Sequence, residues 1–142
     1  MRLTRTVVTA KPLGKVFAYL SDFTSTTEWD PGTVRTVRTA GDGGLGTEYL
    51  NTSAFAGRQT QLTYVVQDLV PNQRISLRGE NKTVIVNDTM TFRAVGEYTE
   101  VTYTADFTFK GIVRVVAPLL RPAFTGLGNQ AETGMAAALA RL

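Results

Sequence analysis

Asp88, Tyr64 and Tyr103 are the residues whose type and setting could move a proton. Asp88 shares strand parity with Val84, Val86, Met90 and Phe92. A carboxyl group is therefore expected among apolar side chains, where lost hydration disfavours its charged form and raises its pKa toward that of a working general base. Tyr64 falls in an inward set with Leu62 and Val66, and Tyr103 in one with Val101, Ala105, Phe107 and Phe109. Their phenols could orient a substrate carbonyl or relay a proton. Asn51 and Ser53 share parity with Tyr49 and Phe55 and could hold a polar head group. Each also has a plain core reading: tyrosines as fillers with hydroxyls at the rim, Asp88 near a strand end reaching solvent or a turn amide, Asn51 and Ser53 as a strand-edge pair. Taken as a set they need partners, because a packed core cannot hold these oxygens unless they pair with each other, with water or with a ligand. The set points to a mainly apolar pocket with a few convergent polar groups.

The rest of the composition narrows the chemistry by elimination. Among 142 residues there is no cysteine and no histidine. That excludes disulfides, thiolate nucleophiles, Cys/His zinc sites, Ser-His-Asp and Cys-His arrangements and a histidine base. The carboxylates are dispersed, without the spacing of a calcium loop, so no metal and no cofactor are expected. Lys+Arg exceed Asp+Glu by 15 to 12. The resulting pI of about 9.4 reflects the missing histidines more than a basic surface. The arginines are scattered, with no phosphate-tracking stripe, so nucleic acid is not an expected partner. The glycine cluster Gly41, Gly43, Gly44 and Gly46 lacks a following Lys-Ser/Thr and reads as a turn between strands. Met1 to Ala10 alternates and carries two arginines, unlike a signal peptide. No apolar run nears the ~20 residues that cross a bilayer. A cytoplasmic protein without membrane insertion, forming one domain over residues 1–142, is the expectation.

These residues need elements to hold them. Arg2 to Ala10 reads as a strand, and Pro12 suits the first turn of a helix on which Val16, Phe17, Tyr19 and Leu20 recur at helical spacing. Ser21 and Asp22 can cap a further helical turn toward Trp29, ended by Asp30-Pro31-Gly32. From Thr33 on, alternating β-formers are separated by turn chemistry at Gly41-Asp42-Gly43-Gly44, Ala56-Gly57, Pro71-Asn72, Glu80-Asn81 and Gly96-Glu97, an antiparallel meander of about six strands. Ile75 and Leu77 face in, whereas Thr33 to Thr39 has no clean parity. After Gly111, Leu120, Phe124, Leu127, Ala131, Met135, Ala138 and Leu142 form a helical stripe, split by Pro118 and Pro122 into a short and a long helix. The long helix needs an apolar surface, and the inner face of the sheet supplies it, which makes the class α+β.

The stretches Val16-Phe17-Ala18-Tyr19-Leu20-Ser21-Asp22-Phe23, Glu28-Trp29-Asp30-Pro31-Gly32, Gly44-Leu45-Gly46-Thr47, Pro71-Asn72-Gln73-Arg74-Ile75, Asp88-Thr89-Met90-Thr91-Phe92, Thr99-Glu100-Val101-Thr102-Tyr103 and Leu119-Leu120-Arg121-Pro122-Ala123-Phe124 together resemble the SRPBCC superfamily (START-like, Bet v 1-like), in its polyketide cyclase/dehydrase type. The resemblance covers the whole chain in order. It implies the helix-grip fold: a strongly bent seven-stranded antiparallel sheet wrapped around a long C-terminal helix, two short helices between the first two strands, and a deep apolar cavity. It places Trp29 near the cavity mouth. Asn51, Thr52 and Ser53 stand where relatives often carry aliphatic residues, which implies a more polar pocket.

The expected function is binding of a small hydrophobic or amphipathic molecule (a polyketide, lipid or aromatic metabolite) by a monomer or homodimer. The wall expected is Trp29, Tyr49, Asn51, Ser53, Tyr64, Asp88, Met90, Phe92, Tyr103, Phe107, Phe124 and Leu127. A cyclase or dehydratase using Asp88 with Tyr64 or Tyr103 for proton transfer is the alternative, and a fully packed scaffold that binds another protein is a third.

Overall fold

A computed structural model describes residues 1–142. Strand β1 (Arg2–Thr9) leads into helix α1 (Leu13–Ser21). Pro12 precedes that helix in extended conformation, and Val16, Phe17 and Leu20 are its buried face. The side chain of Asp22, rather than Ser21, opens the next turn, accepting from the Thr24 amide at 3.1 Å. A 3₁₀ turn (Phe23–Ser25) and helix α2 (Thr26–Trp29) follow. The meander is β2 (Thr33–Ala40), β3 (Glu48–Phe55), β4 (Arg58–Val70), β5 (Arg74–Glu80), β6 (Val84–Val95) and β7 (Tyr98–Phe109). Helix α3 (Val113–Val116), a 3₁₀ turn (Ala117–Leu120) and helix α4 (Arg121–Ala140) complete the chain, divided where Pro118 and Pro122 require.

All seven strands form one antiparallel sheet in the order β1-β7-β6-β5-β4-β3-β2. β1 returns beside β7 with Leu3 opposite Ala105 and Val7 opposite Val101. The register slips within the β2–β3 pair and again between Val66 and Asp68 of β4, and such bulges increase local bending and twist. The tight turn at Ala56-Gly57 has both residues at positive φ (52° and 80°), as a two-residue hairpin requires. Helix α4 lies against β1 and α2, and α1 against β6 and β7. This is the helix-grip arrangement the resemblance implies.

The interior is filled unevenly. Ile75, Leu77, Met90, Val101, Met135 and Leu139 are essentially without solvent exposure, and Phe17 meets Phe92 edge-on at 5.0 Å. Further along the same sheet face the side chains stop meeting, and a hollow opens under the N-terminal half of α4. On β6 the change falls between Met90, inside the solid part, and Asp88, on the wall of the hollow.

Candidate functional site

The hollow has a volume of about 260 Å³. Its floor comes from β3, β4, β6 and β7, whose alternation presents Phe55, Leu62, Val86, Phe107 and Phe109 inward. α2 and the 3₁₀ turn before it close one side with Trp29 and Phe23, and α4 covers the top with Phe124 and Leu127. Val113 and Leu120 border it from the segment before α4, a segment that leaves Ile112 and Leu119 facing outward and exposed. Phe124 stacks on Phe55 at 4.5 Å and also meets Phe107 and Phe109, at 5.0 and 5.5 Å.

Of the twelve wall residues expected from sequence, nine line the cavity: Trp29, Asn51, Ser53, Tyr64, Asp88, Tyr103, Phe107, Phe124 and Leu127. Tyr49, Met90 and Phe92 do not. All three point to the expected face and are buried, but in the solid part of the core, where Tyr49 packs against Phe23 and Phe92 against Phe17. Trp29 is not at the mouth. It is 2% exposed, meets the Tyr103 ring edge-on at 5.8 Å, and donates its indole N–H to Ser25 Oγ at 3.2 Å.

Asp88 is 3% exposed and sits within β6, opposite Leu77 on β5 and Ala105 on β7, so the strand-end reading does not hold. It has no cationic partner: the ion pairs Arg2–Asp106, Arg74–Asp68, Arg78–Glu80, Arg93–Glu100 and Lys110–Glu80 lie elsewhere. Burial pushes its pKa up to about 7. Tyr103, which donates its hydroxyl to Asp88 Oδ1 at 3.0 Å, pulls the other way, as does Tyr64, while the nearby Asp30 carboxylate adds to the rise. The Tyr64 and Tyr103 hydroxyls are held well above their usual pKa, first by burial and next by Asp88. A carboxyl poised near neutrality between two protonated phenols can take a proton from a ligand and give it back.

Asp30 is the ionisable site residue that sequence reasoning missed, beside apolar wall residues such as Phe55, Leu62, Val86 and Phe109. Its carboxylate accepts from the Gly32 amide and from Thr33 Oγ1, both at 3.0 Å. It also lines the cavity, and burial raises its pKa against the opposing effect of those two bonds. The Asp-Pro-Gly signal was accounted for by the turn, and nothing in parity applies to a turn residue. A polar chain continues from it: Asn51 Nδ2 donates to Thr36 Oγ1 at 2.8 Å and to Thr33 Oγ1 at 3.4 Å, and Ser53 Oγ donates to Asn51 Oδ1 at 2.6 Å. No group of three or more carboxylates stands close enough together to hold a metal ion, and no helix is long and apolar enough to cross a membrane.

Comparison with known proteins places this geometry. The family model described as polyketide cyclase/dehydrase and lipid transport matches residues 1–142. The chain is similar in structure to the Zhui aromatase/cyclase from Streptomyces sp. R1128, with a TM-score of 0.81 and 16% identity over 98% of this chain and 93% of that one. It is similar to TTHA0849 from Thermus thermophilus, with a TM-score of 0.82 and 12% identity over 98% and 97%. It also resembles a START superfamily protein from Mycobacterium smegmatis, with a TM-score of 0.67 and 16% identity over 91% and 97%. At these identities the likenesses carry the fold. No curated protein matches the sequence.

Proposed function

The chain belongs to the polyketide cyclase/dehydrase and lipid transport family over residues 1–142, and from that premise we propose that it binds one small hydrophobic or amphipathic molecule, a polyketide, lipid or aromatic metabolite, in the cavity between sheet and α4. The observation that carries the reading is a partly open cavity of about 260 Å³ lined mainly by apolar side chains. A concave, mostly apolar pocket with a few convergent polar groups is the usual form of a small-molecule site. Phe107, Phe124, Leu127 and Trp29 supply affinity through apolar burial at roughly 25 cal/mol per Å². Asn51, Ser53, Tyr64, Tyr103 and Asp88 orient the polar part. On this reading the protein works in the cytoplasm with a small-molecule partner. The test is native mass spectrometry of protein from its own host, together with displacement of Nile red and the melting temperature in the presence of candidate ligands. A retained molecule that displaces the dye and raises Tm by several degrees is the expected result. A protein that retains nothing, takes up no dye and melts unchanged would sink the reading.

The Asp88–Tyr103 pair supports a second reading, a cyclase or dehydratase. Asp88 near pKa 7 is suited to remove a proton from a methylene between two carbonyls, leaving an enolate. The enolate carbon then bonds to a second carbonyl of the same chain, and the alkoxide so formed takes the proton back from Asp88. Replacing Asp88 with Asn separates the readings: turnover of a poly-β-carbonyl substrate is lost while Nile red still binds. Undiminished turnover removes Asp88 from the chemistry.

A further inference from the structure

We infer that the inner end of the cavity receives the hydrogen-bond-donating head of an apolar ligand, a hydroxyl, a phenol or a protonated amine, and rejects ligands that end in carboxylate or phosphate. The inference rests on the ligand-binding reading above and sharpens it to a chemical class.

The wall's balance of donors and acceptors decides the matter. Asp30 and Asp88 both line the cavity, and no lysine or arginine does. Most of the donors around Asp88 and Asp30 are already committed to the protein, the Tyr64 hydroxyl being the exception. Tyr103 gives its hydroxyl to Asp88, Thr33 gives its own to Asp30, Ser53 gives its own to Asn51, and Thr26 donates to the Phe23 carbonyl at 2.8 Å. The Asn51 amide is engaged by Thr36 and Thr33, and the Trp29 indole by Ser25. At pH 8, where Asp88 is mostly ionised, lone pairs predominate in what remains. An ionised carboxylate accepts up to about four hydrogen bonds, and Asp88 takes one at normal length, from Tyr103, with Tyr64 as the other phenol acting on it.

An anionic head would enter a place lined by no lysine or arginine, beside buried Asp88 and half-buried Asp30, and would bear most of its desolvation cost. A donor head does the reverse. It supplies a hydrogen bond to buried Asp88, which accepts only one at normal length from the protein, and an ammonium would add charge attraction to that carboxylate. The upward displacement of both carboxyl pKa values agrees with an acid pair that the protein leaves uncompensated.

Three compounds of one shape test this: 1-adamantanol, 1-adamantylamine and 1-adamantanecarboxylate, titrated at pH 8 by calorimetry and by the emission of Trp29, the one tryptophan. The cage is transparent where tryptophan absorbs. The alcohol and the amine are expected to bind, with the carboxylate weaker than the better of them by on the order of a hundredfold. Whichever of the first two is tighter tells a neutral head from a cationic one. In Asp88→Asn, which keeps an oxygen facing Tyr103, the gap between amine and carboxylate is expected to shrink about tenfold or more. A carboxylate that binds as well as the alcohol and the amine would overturn the inference and leave the cavity reading standing. If none of the three binds, both are overturned.

Discussion

Asp88 couples the site to stability, and the sign is opposite to that of an ordinary surface carboxylate. Its pKa rises from 3.8 to about 7 on folding, chiefly through burial. Between about pH 4 and pH 7 the native state therefore holds a proton that the unfolded chain has lost, and stability falls as pH rises through that window. Three units correspond to about 4 kcal/mol at most, all of it missing at pH 8, where ionised Asp88 must stay buried. Asp30, also raised by burial, acts in the same direction. Asn at position 88 keeps the shape and the acceptor for Tyr103 without the charge. Asp88→Asn is expected to melt above the native protein at pH 8, with the advantage shrinking to near zero by pH 4. Thermal denaturation of both proteins across that range checks it, and a variant less stable than the native protein at pH 8 contradicts the sign. A residue that lowers stability where the protein works is characteristic of a functional group held against the fold's interest.

At the scale of elements, α4 is seated by a glycine. A Cβ built on Gly134 would lie 2.0 Å from the Trp29 carbonyl oxygen, whereas one built on Gly126 meets nothing within 4 Å. Both occupy the same helix, so alanine brings the same gain in helix propensity, about 1 kcal/mol. Gly126→Ala is expected to stabilise by about that amount. Gly134→Ala must push α4 off α2 and is expected to destabilise by about 1–3 kcal/mol or more, with Trp29 emission shifting as its surroundings open. Equal effects of the two substitutions on urea midpoints would deny that close seat. Much of this element structure was legible in the sequence: Val16 and Leu20 marked the buried side of α1, the alternation from Val101 to Phe109 marked β7, and Pro118 and Pro122 marked the breaks before α4. β2 was not legible, because its register slips twice and Thr36 is its one buried residue. Parity also says which face a residue occupies and nothing about distance along the strand. That is why Met90 and Phe92 were grouped with Asp88, although the packing changes from solid to hollow between Asp88 and Met90.

For the whole molecule, the question is whether the sheet and α4 hold empty space or merely a loosely packed core, and the two differ in the sign of a mutational effect. Val86 on β6 and Val101 on β7 are both buried, at 4% and 0% exposure. Val86 lines the hollow, whereas Val101 lies outside it and is paired across the ladder with Phe92. Adding volume to a filled interior forces side chains off their rotamers and typically costs about 1–3 kcal/mol. Adding it to a void creates contacts that were missing, and the burial of further apolar surface stabilises. Val86→Phe is therefore expected to be neutral or stabilising, and Val101→Phe destabilising by at least the lower end of that range. The pair makes the argument independent of phenylalanine's own preference for strands, since both positions are central in the sheet. The ligand provides the second arm: Val86→Phe is expected to abolish the rise in Tm that any bound apolar molecule produces in the native protein, because the added ring occupies the same space. Stability that falls equally in both variants would show the hollow to be closed by the protein's own side chains.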